Sequence, residues 1–265
     1  MNAVTQSVPL LEVEQVSMHF GGLRALDKVS LRLAQRQVVG LIGPNGSGKS
    51  TLINVLSRIY DPTGGRVTLE GSDIAAVPVH GVAALGIART FQNVRLFATM
   101  TVRDNLIVGA VSSTKAGFVA TGLALPSARR EEAAINTRIE GVAELLGLGP
   151  YLERIAGDLP YGQQKLVELG RALVPEPRLV LLDEPVAGMN PNEKQVLIAA
   201  FERVRRARDV AFLLVEHDMG FVMSLTEYLY VLDFGQVIAE GTPREVAANA
   251  RVIEAYLGGG SRAED

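Results

Sequence analysis

Two segments near the start of the chain alternate hydrophobic with polar residues, at 11–20 and at 29–33. A period of two places every second side chain on the same face, as in antiparallel strands that contact water on one side. Residues 66–71 form another short run of this kind. These patterns predict an antiparallel β region in the first part of the chain.

Other segments are apolar throughout, namely 38–42, 179–182 and 210–215. Uninterrupted apolar runs of this length are typical of parallel strands whose two faces are both covered. Residues 229–240 predict a hairpin that turns near Gly235, and residues 243–257 predict a single helix. The chain is therefore expected to combine a buried parallel sheet with a separate antiparallel region.

Between residues 99 and 149 the pattern is helical, and it contains no strand of comparable quality. Residues 128–148 are good helix formers with a charged start, which predicts a helix. Residues 111–127 are rich in Ala, Gly, Ser and Thr, which favours a loose or weakly helical insertion. A helical region is thus expected between two parts of the sheet.

The composition and charge of the chain exclude several classes of protein. The 265 residues are 48% hydrophobic and 21% charged, as in a soluble protein with a sizeable core. The net charge of −3 argues against a nucleic-acid binder, which usually has a basic surface. Cysteine is absent, which excludes disulfides and thiolate metal sites. No run of about 18 apolar residues occurs, so the sequence predicts no span of a bilayer.

A glycine-rich stretch after the run at 38–42 has the pattern G-x-x-x-x-G-K-S of a phosphate-binding P-loop. Its residues are Gly43, Pro44, Asn45, Gly46, Ser47, Gly48, Lys49, Ser50 and Thr51. Apolar residues then recur at helical spacing as far as Ile59, so the loop is predicted to join a strand to a helix. Glycines let the backbone wrap around phosphate oxygens, which the N–H groups and the positive helix end then face. We expect Lys49 to reach the β- and γ-phosphates of ATP and the Ser50 hydroxyl to hold Mg²⁺.

Two acids follow the apolar run at 179–182. Asp183, at the carboxyl end of the predicted strand, is expected to approach Mg²⁺. Glu184 lies beyond it, where a carboxylate can polarise the water that attacks the γ-phosphate. His217 follows the next buried strand, and an imidazole there can donate a hydrogen bond to the γ-phosphate. A structural role is the ordinary alternative for a single histidine.

About twenty residues before these acids stands the segment Leu159, Pro160, Tyr161, Gly162 and Gln163. With it, the chain resembles the ATP-binding-cassette (ABC) ATPases, whose signature motif reads L-S-G-G-Q. The P-loop, Gln92, this signature, the acids, a loop near Asn190 and His217 occur in the order and spacing of that family. The resemblance covers nearly the whole chain.

The resemblance implies a fold and further site residues. The fold is α/β: a P-loop NTPase core with a mainly parallel sheet, a flanking antiparallel β subdomain and an inserted α-helical subdomain. Gln92 is then a third Mg²⁺ ligand beside Ser50 and Asp183, and Phe20 stacks on adenine, although an ordinary strand side chain is the alternative for Phe20. The cofactors implied are ATP and Mg²⁺.

The domain limits expected from the resemblance make residues 1–265 a single ABC ATPase domain. Residues 1–91 and 166–265 are predicted to form the β subdomain and the P-loop core with its C-terminal hairpin and helix. Residues 92–165 are predicted to form the Gln-loop and the helical subdomain, which ends in the signature motif.

The signature of the family acts on the nucleotide of a second chain, and here it departs from the common pattern. Pro160 and Tyr161 replace the serine and the first glycine. Without the serine hydroxyl, the backbone N–H groups of Tyr161 and Gly162 are expected to make the contact with the γ-phosphate. Asn190 replaces an aspartate of the family, which leaves a weaker polar contact across the predicted dimer.

Several segments resemble the branched-chain amino-acid uptake branch of the family in particular, namely 86–97, 100–102, 160–161, 216–219 and 252–257. That branch implies an ATPase at the cytoplasmic face of the cell membrane. Its partners are a second ATPase chain, the same or different, two transmembrane permease subunits and, indirectly, an external solute-binding protein. The permease is expected to contact residues 93–100, where Leu96 and Phe97 are apolar in a predicted loop. The alternative is that both side chains pack into the helical subdomain.

The sequence also allows other functions. Similar cassettes serve urea, short amides and lipopolysaccharide export, and the ATPase need never touch the solute. A non-transport cassette acting on DNA or ribosomes would usually have two cassettes or a basic surface. A P-loop kinase would have no reason to contain the signature. The leading hypothesis is an ATPase that drives import of branched-chain or other hydrophobic amino acids.

Overall fold

A computed structural model describes residues 9–90, 92, 94–111 and 126–258 of the chain. Most of the predicted insertion at 111–127 therefore lies outside the described residues. The described strands are β1 (Leu11–Phe20), β2 (Leu23–Leu33), β3 (Val38–Ile42), β4 (Gly64–Leu69), β5 (Ser72–Asp73), β6 (Ile87–Arg89), β7 (Leu179–Asp183), β8 (Ala211–Val215), β9 (Tyr228–Asp233) and β10 (Gln236–Gly241). The described α-helices are α1 (Lys49–Leu56), α2 (Val102–Ala110), α3 (Pro126–Leu146), α4 (Tyr161–Leu173), α5 (Pro191–Ala207), α6 (Met219–Leu225), α7 (Pro243–Ala247) and α8 (Ala250–Gly258).

The antiparallel sheet predicted near the start of the chain is confirmed. Its strands lie in the order β2-β1-β4-β5. Val13 lies opposite Leu31 on one side and Val67 on the other, so apolar residues of three strands meet on one face. That face is buried, as the alternation of apolar and polar residues predicts.

The larger sheet has the strand order β10-β9-β3-β8-β7-β6. Strands β9, β3, β8, β7 and β6 are parallel, and β10 pairs antiparallel with β9. All five residues of β3 and all five of β8 are buried, which confirms that both faces of the sheet are covered. The hairpin predicted at 229–240 is also confirmed. Strand β6 was not predicted, because its three residues carry no periodic signal and are held by pairing with β7.

Two predictions about helices are wrong in part. Helix α1 ends at Leu56, and Ile59 lies beyond it with its side chain 52% exposed. Arg58 has a φ of 58°, a left-handed conformation that a continuing helix does not allow. The single helix predicted at 243–257 is two, α7 and α8, because Asn249 accepts a hydrogen bond from the Arg251 amide and begins a new helix.

Two hydrophobic clusters cover the two faces of the larger sheet. One lies between the sheet, helix α1 and the antiparallel sheet, and the other between the sheet and the remaining helices. Helices α2 and α4 pack closely, since a Cβ at Gly109 would lie 2.3 Å from the Arg171 carbonyl oxygen. The predicted boundary at residue 165 falls inside α4, and the division of the domain remains a prediction. None of the described helices is both long and apolar enough to cross a membrane.

Candidate nucleotide-binding and hydrolysis site

The P-loop turns between β3 and α1 through glycines that no other residue could replace easily. Gly43, Gly46 and Gly48 have φ values of 150°, 77° and 106°, a region that side chains disfavour. A Cβ at Gly43 would lie 2.0 Å from the Leu232 carbonyl oxygen, and one at Gly48 would lie 2.5 Å from the Ala25 carbonyl oxygen. Strands β9 and β2 therefore pack directly against the P-loop.

Lys49 is the first residue of α1 and folds back over the loop. Its ammonium donates hydrogen bonds to the carbonyl oxygens of Gly43 at 2.7 Å and Pro44 at 2.8 Å, and to the Ser47 hydroxyl at 3.4 Å. Burial lowers the pKa of Lys49, while the carboxylates of Glu184 and Asp183 oppose that shift. The P-loop lysine and the two acids after β7 are thus electrostatically coupled in the folded chain.

Asp183 and Glu184 stand at the carboxyl end of β7, as the sequence predicts. The Glu184 amide donates to the Val215 carbonyl oxygen at 2.8 Å, and its φ of 48° turns the chain sharply out of the sheet. Asp183 accepts a hydrogen bond from Arg89 at 3.1 Å. Sequence reasoning missed Arg89, which also donates to Asn54 on α1 at 2.8 Å. Arg89 therefore fixes the Asp183 carboxylate relative to the helix that follows the P-loop.

Gln92 and His217 both approach Glu184. The Gln92 side-chain amide donates to Glu184 Oε2 at 2.7 Å, and His217 Nδ1 lies 3.8 Å from the same oxygen. The His217 side chain is 63% exposed. The structure thus brings together three residues that the sequence places far apart, around the carboxylate expected to act on water.

The residues expected to bind Mg²⁺ offer oxygen ligands of three kinds. They are the Ser50 hydroxyl, the Asp183 carboxylate and the side-chain carbonyl oxygen of Gln92. The bond from the Gln92 amide nitrogen to Glu184 leaves the Gln92 carbonyl oxygen as the ligand atom. Mg²⁺ takes oxygen ligands and in phosphate sites needs only one or two from protein. The donor set therefore fits this ion.

Phe20, expected to stack on adenine, ends β1 with its side chain 41% exposed. Its ring makes an edge-to-face contact with Tyr60, with the ring centroids 5.2 Å apart. Tyr60 thus supports one side of the Phe20 ring and fixes its orientation. The stacking role of Phe20 stays a prediction.

The signature residues begin helix α4, with Pro160 at its N-cap and Leu159 buried before it. The Gly162 amide, expected to face a nucleotide of a second chain, donates to Glu193 Oε1 at 3.2 Å within this chain. A Cβ at Gly162 would lie 2.9 Å from Glu193 Cγ, so a side chain at this position would have to displace the Glu193 side chain of the same chain. The action of Tyr161, Gly162 and Gln163 on a second chain stays a prediction.

Asn190, interpreted above as a weakened contact across a dimer, has a clear role inside the chain. Its side chain accepts from the amides of Asn192 and Glu193, both at 3.0 Å, and Glu193 Oε2 accepts from the Asn190 amide at 2.9 Å. This is a capping box at the start of α5.

Lys165 is a buried charge that sequence reasoning missed. It lies on α4, and its ammonium donates to the Gln92 carbonyl oxygen at 2.7 Å. Burial lowers the Lys165 pKa, and Glu168, whose carboxylate lies 3.7 Å away, opposes that shift. The helix that begins with the signature is thus bonded to the backbone of the residue that contacts Glu184.

Four features together define an ABC-type ATPase. They are a P-loop between a buried strand and a helix, two acids after another parallel strand of the same sheet, a flanking antiparallel sheet and a helix that begins with the signature. The family model described as "ABC transporter" matches residues 26–187, and the chain belongs to that family. A second model, "Branched-chain amino acid ATP-binding cassette transporter", matches residues 236–261. The predicted family and fold class are confirmed.

Curated relatives agree with this placement. The chain is 42% identical over 252 residues to the high-affinity branched-chain amino acid transport ATP-binding protein BraF of Pseudomonas aeruginosa, covering 95% of this chain and 99% of that one. It is 41% identical over the same length to LivG of Escherichia coli strain K12, with the same coverage. Both alignments cover almost the whole length of each relative.

Solved structures agree as well. One is the ADP conformation of an ATP-binding cassette of an ABC transporter, with a TM-score of 0.82, 34% identity and coverage of 95% of this chain and 100% of that chain. Another is a nucleotide-free ATP-binding cassette, with a TM-score of 0.79, 34% identity and coverage of 94% and 98%. Adenine nucleotide binding is thus a property of the family's cassettes.

Proposed function

We propose that this chain is the ATP-hydrolysing subunit of an ABC importer that takes up branched-chain or other hydrophobic amino acids. The observation that supports the substrate class most directly is the match of residues 236–261 to the branched-chain family model, beyond the part that all ABC transporters share. The end-to-end similarity to BraF and LivG supports the same proposal.

In the proposed hydrolysis, Lys49 exchanges its loop carbonyl partners for β- and γ-phosphate oxygens. Glu184 takes the proton of the attacking water, and His217 donates to the γ-phosphate beside it. Ser50, Asp183 and Gln92 would hold Mg²⁺, which would supply positive charge at the phosphates. The contacts of Gln92 and His217 with the Glu184 carboxylate support this assignment of roles.

The proposed assembly contains two ATPase chains. One chain has one P-loop and one signature, so two chains head to tail would complete two sites, each with a signature from the other chain. The second chain is either identical or a related cassette. Two transmembrane permease subunits and an external solute-binding protein complete the proposed importer, which places this chain at the cytoplasmic face of the membrane.

The proposed permease contact lies in the described part of the segment 93–100. The Phe97 side chain is 49% exposed, whereas Leu96 is partly buried against the hydrophobic core. Asn105, fully buried on α2, accepts from the Phe97 amide at 2.9 Å and donates to the Phe97 carbonyl oxygen at 3.1 Å. The fold therefore presents Phe97 outward on a fixed backbone, and Phe97 rather than Leu96 carries the proposal.

The test is transport in the organism that encodes the chain. Deletion of the gene should abolish high-affinity uptake of labelled leucine, isoleucine and valine. The wild-type gene should restore uptake and Lys49→Ala should not, because the ammonium is the proposed charge at the β- and γ-phosphates. Loss of urea or short-amide uptake with leucine uptake intact would favour the alternative cassettes, and unchanged uptake of all these solutes would contradict an import role.

A further inference from the structure

Glu216 is a buried acid that the proposed hydrolysis does not use. It directly follows β8, and its side chain has no exposed surface. A buried carboxylate is unfavourable unless hydrogen bonds or cations satisfy it. Glu216 has such partners: Oε1 accepts from the Val186 amide at 3.0 Å, and Oε2 accepts from the amides of His217 at 2.8 Å and Asp218 at 3.1 Å.

These amides belong to two separate loops. Val186 lies two residues after Glu184, in the loop that leaves β7. His217 and Asp218 lie in the loop between β8 and α6. The backbone pairing of strands β7 and β8 ends where the Glu184 amide donates to the Val215 carbonyl oxygen. Beyond this point the two loops are no longer joined by the sheet. The Glu216 carboxylate bridges the loops at the point where the sheet stops holding them together.

The side chains of Glu184 and His217 are carried by these two loops, and the hydrogen bond from Gln92 to Glu184 Oε2 does not involve His217 and so does not fix the distance between them. His217 is 63% exposed, and its nearest described carboxylate oxygens lie at 3.7 and 3.8 Å, beyond hydrogen-bond length. Glu184 has a left-handed φ of 48°, a conformation that persists only when surrounding structure enforces it. The relative position of the two groups therefore depends on their backbones.

We propose that Glu216 is a positioning residue that sets the distance between Glu184 and His217 by clamping the backbones of both loops. The inference rests on the hydrolytic roles proposed above for those two residues. Glu216 is not itself the general base. Both of its oxygens accept backbone hydrogen bonds, and its carboxylate is closed to solvent, so it cannot reach the attacking water.

The test compares Glu216→Gln with Tyr230→Phe in ATP-hydrolysis assays of the full chain. Glutamine keeps the shape but sets an NH₂ group against an N–H donor, so one of the two loops loses its partner. We expect kcat to fall about tenfold or more, because a misplaced general base loses part of its contribution to the rate. KM and the Kd for ATP should change less than about twofold. Tyr230→Phe removes another buried polar group, the Tyr230 hydroxyl on β9, which forms hydrogen bonds with the backbone of Arg32 on β2 and not with the amides that Glu216 binds. This variant should keep kcat within about twofold of wild type.

Two outcomes separate failure of this inference from failure of the proposed function. If Glu184→Gln abolishes turnover but Glu216→Gln retains the kcat of Tyr230→Phe, the positioning role is refuted while the site stands. If Glu184→Gln retains normal turnover, the assignment of the base is refuted. Should Glu216→Gln not fold, hydrogen exchange of the wild-type chain decides. Slow exchange of all three amides, at Val186, His217 and Asp218, is expected, and fast exchange of any of them would refute the clamp.

Discussion

The capping box at the start of α5 yields a prediction whose size follows from the structure. Asn190→Ala removes the acceptor of two hydrogen bonds to the amides of Asn192 and Glu193. Loss of an N-cap side chain costs about 0.5–2 kcal/mol. Asn190 is exposed, so water can replace part of the loss, and we expect a decrease of about 1 kcal/mol in the free energy of unfolding. For a chain of this size that corresponds to a fall in Tm of about 2–4 °C.

Asn192→Ala is the matched control, because it removes the same side chain from the same helix at a position that caps nothing. Urea unfolding followed by circular dichroism should leave this variant within about 0.5 kcal/mol of wild type. Asn190→Asp keeps an N-cap acceptor and adds a charge favoured at a helix N-terminus, so it should match wild type or exceed it. Equal stability of Asn190→Ala and Asn192→Ala would refute the capping role. ATP turnover of Asn190→Asp then reports separately on any contact across a dimer.

Three further predictions concern the site and its surroundings. Glu184→Gln should bind ATP, but its rate of hydrolysis should fall by about 10²-fold or more, because an amide cannot take a proton from water. Equilibrium binding measures the first effect and phosphate release the second. Hydrolysis at the wild-type rate would exclude Glu184 as the base. Phe97→Asp should leave basal ATPase of the isolated chain unchanged but abolish transport and co-purification with membrane subunits, and intact transport would place the permease contact elsewhere. Asp218→Asn should destabilise the chain only above acidic pH. Hydrogen bonds from Lys194 and the Phe221 amide hold the pKa of Asp218 below its ordinary value. The contribution of the Asp218 carboxylate to the free energy of unfolding is therefore full above about pH 4 and is lost as the pH falls through the folded pKa. Urea titrations at pH 7, 4 and 3 should therefore show the difference from wild type shrinking, and a difference independent of pH would contradict the assigned cause.

The features that could be predicted from sequence are those that local patterns determine. Strands β3 and β8 are covered on both faces, so their residues are apolar without interruption and can be recognised directly. The P-loop needs glycine at Gly43 and Gly48 because the backbone conformation and neighbouring carbonyl groups exclude a side chain. In both cases the residue type follows from constraints that act at that residue.

The features that sequence reasoning missed depend on distant partners. Strand β6 is too short to show a period and exists through its pairing with β7. Arg89 contacts Asp183, and Glu216 contacts Val186, across separations that no local pattern reveals. The break between α7 and α8 could have been found at Asn249, a residue that favours helix N-caps.

The bonds of Lys49 to its own loop have a thermodynamic consequence for ligand binding. Its ammonium is already bonded to carbonyl oxygens of Gly43 and Pro44, so a phosphate oxygen that replaces them contributes only the difference between two sets of partners. Phosphate is the stronger acceptor because it is charged, but the two carbonyl groups lose a donor in the exchange. In return, the loop has its shape before any nucleotide arrives. The entropy of ordering the loop therefore belongs to the folding equilibrium and does not weaken binding.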